Sequence, residues 1–570
     1  MLSGQCDGRA DKPYPGTGTN RACAFNDVRL LWQDGSYTTT SDASSFPAYG
    51  WIGAGGDIYL IRGSLRDGVS YRVGWNSASG ALDNASKMYW GIQGDPYASG
   101  APPPPSGSEG APTRILGENF AACHDASAKT QLHGGYGVAA VFNMRGSSHV
   151  EIACIDVTDF SACGTSGQRN GCNREVGKLS DYASNGVAWS NASTHDVLAD
   201  VHIHGMAAAG MVGPTGDGTV FRDLDLLGNA AAGWNADAGD GKTGSGSLLV
   251  QHFQIGWNGC AEEYPVTHPA PYQDCTDDNA SGYGDGFGTA TVDSSPGWQV
   301  RFDQGSVYNN TQDGLDALHL TGAGSSMTVT HTLAYGNMGQ QLKVGGSSGT
   351  MTDNVIYTNC NALRQKIPGT PEGFNAHLSD FCRAADAGIK ITVNDGSTTV
   401  FERNIVYSAS ATALEVDVNA VCAAETCLIR QQNNVFVGFR NNAANGYPSG
   451  GTGDYSNPIY AQDATKAYRN AGSRFDHNTT FHAKKNWPCP ARDLHETHAV
   501  CEDPHLVDET WHLFGFGDTK PTGVVSPSGT DKEQKQRAPA KPLAYRYLGG
   551  AVLVSLAARG FVLLRKRLNA

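Results

Sequence analysis

An all-β chain wound as a parallel β-helix, a solenoid of short strands, is the fold that this sequence predicts, and three observations predict it. The first is a repeat. From about residue 150 the chain returns to one pattern of alternating apolar residues, an Asn or Gly corner, and a second short strand. The pattern is visible in VLADVHIHGMAAAGMVG (197–213), TVFRDLDLLGNAAAGWNADAG (219–239), LLVQHFQIGWNG (248–259), WQVRFDQGSVYNNTQDGLDALHL (298–320), MTVTHTLAYGNMGQQLKVGG (327–346), TMTDNVIYTNCNA (350–362) and TTVFERNIVYSASATALEVD (398–417). The second is its period. Asn229 to Asn258 is 29 residues, Asn310 to Asn337 is 27 and Asn337 to Asn359 is 22, the length of one solenoid turn. The third is composition: 72 glycines and only 17% charged residues, beside 39% hydrophobic residues, suit many short strands joined by tight turns and argue against disorder. A β-sandwich would also show short alternating strands, but it would not keep the order strand, Asn corner, strand through successive units.

Taken in order, residues 1–115 read as an N-terminal cap and first coils. They include the alternating segment Asp57-Ile58-Tyr59-Leu60-Ile61-Arg62 and a proline run at Pro102 to Pro105. Residues 116–516 carry the β-helix, with insertions near 260–296 and 360–386, and 517–543 form a polar linker. Residues 544–570 hold an apolar run, Leu548 to Leu564, closed by Arg565, Lys566 and Arg567. That run is expected to be a membrane anchor or sorting tail, or else an amphipathic one. It is short against the ~20 residues a bilayer needs, and Arg559 inside it would cost about 2.5 kcal/mol at the membrane centre. No apolar leader with a small-residue cleavage site precedes Gln5, so a secretory signal is expected to have been either removed already or lost from this sequence, and its absence does not argue for a cytosolic protein.

The 41 Lys+Arg against 55 Asp+Glu give −14, a charge unsuited to neutralising a phosphate backbone; nucleic acid is not an expected partner. The 14 cysteines show no CxxC pair and no zinc-site spacing, so they read as disulfides of an oxidising compartment. Pairing neighbours gives Cys6–Cys23, Cys123–Cys154, Cys163–Cys172, Cys260–Cys275, Cys360–Cys382, Cys422–Cys427 and Cys489–Cys501. A secreted or cell-surface monomer is expected.

Aligning the second strand of successive units gives an inward column of Trp234, Phe287, Leu315, Leu342, Ile389 and Leu414. The next residue of each strand then points out, giving Asn235, Gly288, Asp316, Lys343, Lys390 and Glu415 on one face, with rungs about 4.8 Å apart. Asp285 and Asp313 precede their apolar positions by two, so Asp285, Asp313 and Asp316 should meet in one patch beside Lys343. Three carboxylates so placed call for a counter-charge, and hard oxygen ligands suit Ca2+. A nearby cation would lower the lysine pKa and make Lys343 a candidate general base. The plainer alternative is that Asp285-Gly286 and Asp313-Gly314 are turn dipeptides and the lysine is a solvated surface charge.

The segments GDGFGT (284–289), YNNTQDGLDALHL (308–320) and AYGNMGQQLKVGG (334–346) resemble the DGF, DDGWD and GNGFKLGG segments of the family 9 polysaccharide lyases. These are calcium-dependent pectate lyases with a right-handed parallel β-helix. The resemblance implies that Asp285, Asp313 and Asp316 are calcium ligands and that Lys343 abstracts the proton. It departs from the family at Gln312, where the family carries a further aspartate, and at Leu315, which replaces an aromatic; Gln312 could ligate through its amide oxygen. The chemistry implied is β-elimination on an acidic polysaccharide such as pectate. Lys390, Arg364, Lys366 and Arg383 are candidates to grip neighbouring uronate carboxylates. Two rival readings are a β-helical glycoside hydrolase with paired carboxylates and a non-catalytic adhesion solenoid.

Overall fold

The structure is a computed structural model. It describes residues 5–25, 51, 53–74, 92–93, 103–123, 125–135, 138–160, 182–236, 244–259, 284–289, 297–320, 322–345, 348–358, 363, 387–393, 396–408, 412–418, 426–438, 457–460, 472–482, 496–502 and 504. The chain forms two compact units, residues 1–240 with 261–268, and 241–260 with 269–570.

In the second unit successive coils are three strands long from Trp298 onward, while Gly246–Gly256 runs unbroken through the first two columns. Trp298–Asp303, Ser306–Tyr308 and Leu315–Ala317 make one coil; Ser326–Thr330, Leu333–Tyr335 and Leu342–Val344 make the next. Ser348–Thr352, Val355–Thr358 and Ala387–Val393 follow, then Thr398–Glu402, Ile405–Ser408 and Thr412–Val418. Every strand pairs in parallel with its counterpart one coil on. The result is three columns, the parallel β-helix expected, whose strand-to-strand connections are right-handed in nearly all proteins. Alternation turns one set of side chains inward: Phe302, Val307, Leu315, Val329, Ala334, Leu342, Met351, Ile356, Ile389, Phe401, Val406 and Leu414 are all fully buried.

The first corner is made by one residue in the left-handed region. Gln304, His331, Asp353, Arg403, Asn433 and His477 have φ of 57, 50, 61, 56, 57 and 54°, a conformation that side chains other than Gly and Asn usually avoid. Behind four of them stands a buried asparagine. Asn404 Nδ2 donates to Asn434 Oδ1 at 3.1 Å and to the Met351 carbonyl at 2.9 Å, and Asn404 Oδ1 accepts from Asn354 N and Nδ2 at 3.1 and 2.9 Å. Asn434 donates onward to Asn478. A second ladder, Asn258 to Asn310 to Asn337, lines another corner. The sequence reading places one asparagine corner in each unit; in the structure the ladder asparagine stands at either of two corners, after the second strand at Asn258, Asn310 and Asn337 and after the first at Asn354, Asn404, Asn434 and Asn478, where its amide satisfies main-chain groups. Asn359 lies outside the described residues.

The first unit is wound the same way. Ile58–Ile61, Thr113–Gly117, Val150–Asp159, Val197–His204 and Thr219–Leu227 are parallel neighbours, and Ser70–Gly74 and Thr130–Gly135 join them. Coiling is thus in place from Ile58. Val150–Asp159, Val197–His204 and Thr219–Leu227 run through their corners at Cys154, Asp200 and Asp223, all with positive φ. Trp189, Phe221 and Trp234 pack in the interior.

Two expected disulfides, Cys6–Cys23 and Cys123–Cys154, are present, and Cys427 and Cys501 are also disulfide-bonded. The partners expected for those two, Cys422 and Cys489, and the other three pairs lie outside the described residues, as do the linker and the apolar tail. Among the described residues no helix is long and apolar enough to cross a membrane.

Candidate functional site

The third column of the second unit carries the site. Its register pairs Phe287 with Leu315 and Gly288 with Asp316, then Leu315 with Leu342 and Asp316 with Lys343. It continues with Leu342 on Ile389 and Lys343 on Lys390, and then Ile389 on Leu414 and Lys390 on Glu415. The inward and outward columns therefore match the sequence alignment from Phe287 to Leu414. Trp234 and Asn235 belong to the first unit, where they pair with Met211 and Val212.

The carboxylates are fixed before any ligand is considered. Asp285 Oδ1 accepts from the Asp313 amide at 2.9 Å, Asp313 Oδ1 from the Gln340 amide at 2.5 Å, and Asp316 Oδ1 from the Leu318 amide at 2.7 Å. Gly288 leaves room for the first of them, since a Cβ there would stand 2.7 Å from Asp285 Oδ2. Lys343 reaches back one rung, placing Nζ 2.9 Å from Asp313 Oδ2 and 3.0 Å from Asp316 Oδ2. Asp313 is buried, and Lys343 nearly so.

Burial, then the charges of Asp313 and Asp316, hold the Asp285 carboxyl well above the usual range. Burial and the charge of Asp313 raise Asp316 to about 6, against the pull of Lys343. For Lys343 burial acts to lower the pKa, but the two aspartates outweigh it and hold the ammonium above its ordinary value. The sequence reading has a cation lowering this pKa; in the state seen here the lysine is itself the counter-charge. Lys390 is answered likewise, 3.2 Å from Glu415 Oε1 and 3.1 Å from Asp417 Oδ2.

Donor chemistry at the patch suits a hard cation: three carboxylates, with the buried Gln312 beside Asp313. Their oxygens are not gathered for one in this state. Among the described residues, the groups whose ligand atoms all lie within 4.8 Å of one another are Asp156, His202, His204 and Asp476, His477, His498. Calcium at the aspartates would require the Lys343 ammonium to withdraw. Arg364, Lys366 and Arg383 lie outside the described residues.

His319, three residues beyond Asp316, was not singled out from the sequence. Burial and then the charge of Lys343 depress its pKa, leaving a neutral imidazole beside the patch. Its signal, a histidine near the end of YNNTQDGLDALHL, is too common to mark it alone.

No protein-family model matches the chain, and no curated protein matches it. Among solved structures it overlaps a mutant of the periplasmic alginate epimerase AlgG at 11% identity and TM-score 0.35, covering 75% of this chain and 77% of that one. The Azotobacter vinelandii mannuronan C-5 epimerase AlgE4 A-module overlaps at 13% and 0.36, covering 66% and 86%. Pectate lyase Pel9A overlaps at 13% and 0.27, covering 64% and 80%. Likeness of this degree assigns this chain neither an activity nor a substrate.

Proposed function

We propose that the chain is a secreted or cell-surface polysaccharide lyase that cleaves pectate or a similar polyuronate by β-elimination, with Lys343 as the base. The observation that carries this reading is the junction of Lys343 with Asp313 and Asp316 at 2.9 and 3.0 Å on one outward column. In this reading Asp285, Asp313 and Asp316, with the Gln312 amide, hold Ca2+, which when bound supplies positive charge for the uronate carboxylate and the charge that develops beside it. The aspartates then no longer hold the lysine proton. Neutral Nζ takes the C5 proton, the electron pair forms the C4–C5 double bond, and the C4–O bond breaks with its electron pair leaving on the glycosidic oxygen, which takes a proton from water. Gln340 and Leu318 amides keep the carboxylates oriented throughout. The disulfides support an oxidising compartment.

A hydrolytic reading is favoured by one specific observation: burial and neighbouring carboxylates raise both Asp316, to about 6, and Asp285, the direction in which a general acid is tuned. Incubation with polyuronate separates the two. Ultraviolet absorbance of an unsaturated uronide, dependent on calcium, is the expected result; new reducing ends without that absorbance would establish hydrolysis, and neither signal on any polyuronate would leave the solenoid non-catalytic.

A further inference from the structure

We propose that Asp156, His202 and His204, in the first unit, form a site for a divalent transition-metal ion of the zinc class. His202 and His204 are alternate residues of the strand Val197–His204, so both imidazoles leave the same face. The parallel register sets Asp156 against His202, one rung away, and Thr158 against His204. His202 Nδ1 stands 3.0 Å from Asp156 Oδ2, and His204 Nε2 stands 3.1 Å from Asp156 Oδ1. Four ligands at 2.0–2.1 Å in a tetrahedron about zinc are about 3.3 Å apart; the two contacts, one to each carboxylate oxygen, are near that spacing, and the three ligand atoms all lie within 4.8 Å of one another. The rings stack at 4.4 Å.

The surroundings are those of a built site. Asp156 is 1% exposed, yet it is a carboxylate on the outward side of its strand between the interior residues Ile155 and Val157. Gln131, one rung earlier, donates from Nε2 to Asp156 Oδ1 at 2.9 Å, and its own Oε1 meets His133 Nε2. Such outer contacts orient ligands in metal sites. Two imidazoles and one carboxylate are a donor set for zinc or a neighbouring transition metal and too nitrogen-rich for calcium, with a coordination position left for water or substrate.

The second such group is built differently. His477 and His498 have positive φ, and His477 is one of the corner residues. Thr497 Oγ1 and His498 Nδ1 both bond Asp476 Oδ1, at 2.6 and 2.8 Å. Thr330 Oγ1 and His331 Nδ1 bond Asp303 Oδ1 in the same way, at 2.7 and 2.9 Å. Recurrence marks that arrangement as a corner brace. Asp156, His202 and His204 lie within strands.

The test is titration of chelator-treated full-length protein with Zn2+ by calorimetry, with Co2+ as a spectroscopic probe. One equivalent should bind. Gln131→Ala should weaken it roughly tenfold and His202→Gln/His204→Gln by more than a hundredfold, while His477→Gln/His498→Gln binds as the unaltered chain does. Circular dichroism checks that each variant folds. If the double variant at the site does not fold, X-ray absorption of the Co2+ form decides: scattering from two imidazoles is expected, and an all-oxygen shell overturns the proposal. So does absence of Zn2+ binding, or its loss in the His477/His498 variant.

Discussion

At the scale of single residues the chemistry turns on who holds the Lys343 proton. Asp313 and Asp316 keep it in the state seen here, so catalysis by this residue requires their charge to be occupied elsewhere. Lys343→Ala, assayed at saturating calcium, should lower kcat by roughly 10²–10⁴-fold, the range of a general base, while His319→Ala keeps most activity. The reverse pattern would make the neutral imidazole of His319 the base. Asp316 gives an independent readout. Its folded pKa of about 6 is above the ordinary carboxylate value, so the folded state binds the proton more tightly than the unfolded state. Its contribution to stability is therefore greatest at acid pH and falls as pH rises from about 4 through about 6; Asp285 acts in the same direction. Melting temperature in chelator should decline across that window, and both Asp316→Asn and added calcium should flatten the decline. A profile that calcium leaves unaltered would take the metal away from these aspartates.

At the scale of the element, the corner and its asparagine set the coil. Asn404 satisfies the Met351 carbonyl, the Asn354 amide and two neighbouring side chains. Asn404→Ala should cost about 3 kcal/mol, because buried partners lose their hydrogen bonds. Arg403→Gly, one residue earlier, relieves a positive φ while losing a half-buried, two-bonded pair with Asp353 and a contact with Glu402, and should cost less than Asn404→Ala, about 1 kcal/mol. Denaturant melts of the two variants check the contrast; equal effects would mean that the amide ladder carries no special stability. The ladders explain why this architecture was readable. An Asn recurring once per coil, with period-two alternation after it, fixes which residue of each strand faces in, so the Phe287-to-Leu414 register followed from residue spacing alone. What spacing does not encode is reach. That Lys343 folds back across a rung onto two aspartates depends on a long side chain choosing among neighbours. That Asp156 meets His202 and His204 depends on pairing between strands whose sequences share no corner asparagine.

At the scale of the molecule, charge poses the remaining question. The chain carries −14, and the polyuronate proposed as its substrate is itself a polyanion, so the two would repel at long range unless cations intervene. Lys343 and Lys390, which face outward on the candidate column, are already paired with carboxylates and offer little net attraction. Repulsion of this kind is screened over about 30 Å at ~0.01 M salt but only about 8 Å at ~0.15 M. With calcium held saturating, KM for polyuronate should therefore fall as NaCl is raised between those concentrations, with kcat little changed. A protein that gathers a polyanion on a basic surface behaves oppositely, losing affinity steeply with salt. Steady-state kinetics across that range make the comparison. A KM that rises with salt would show that a local cationic surface governs encounter despite the net charge, and the residues to substitute first would then be Arg364, Lys366 and Arg383.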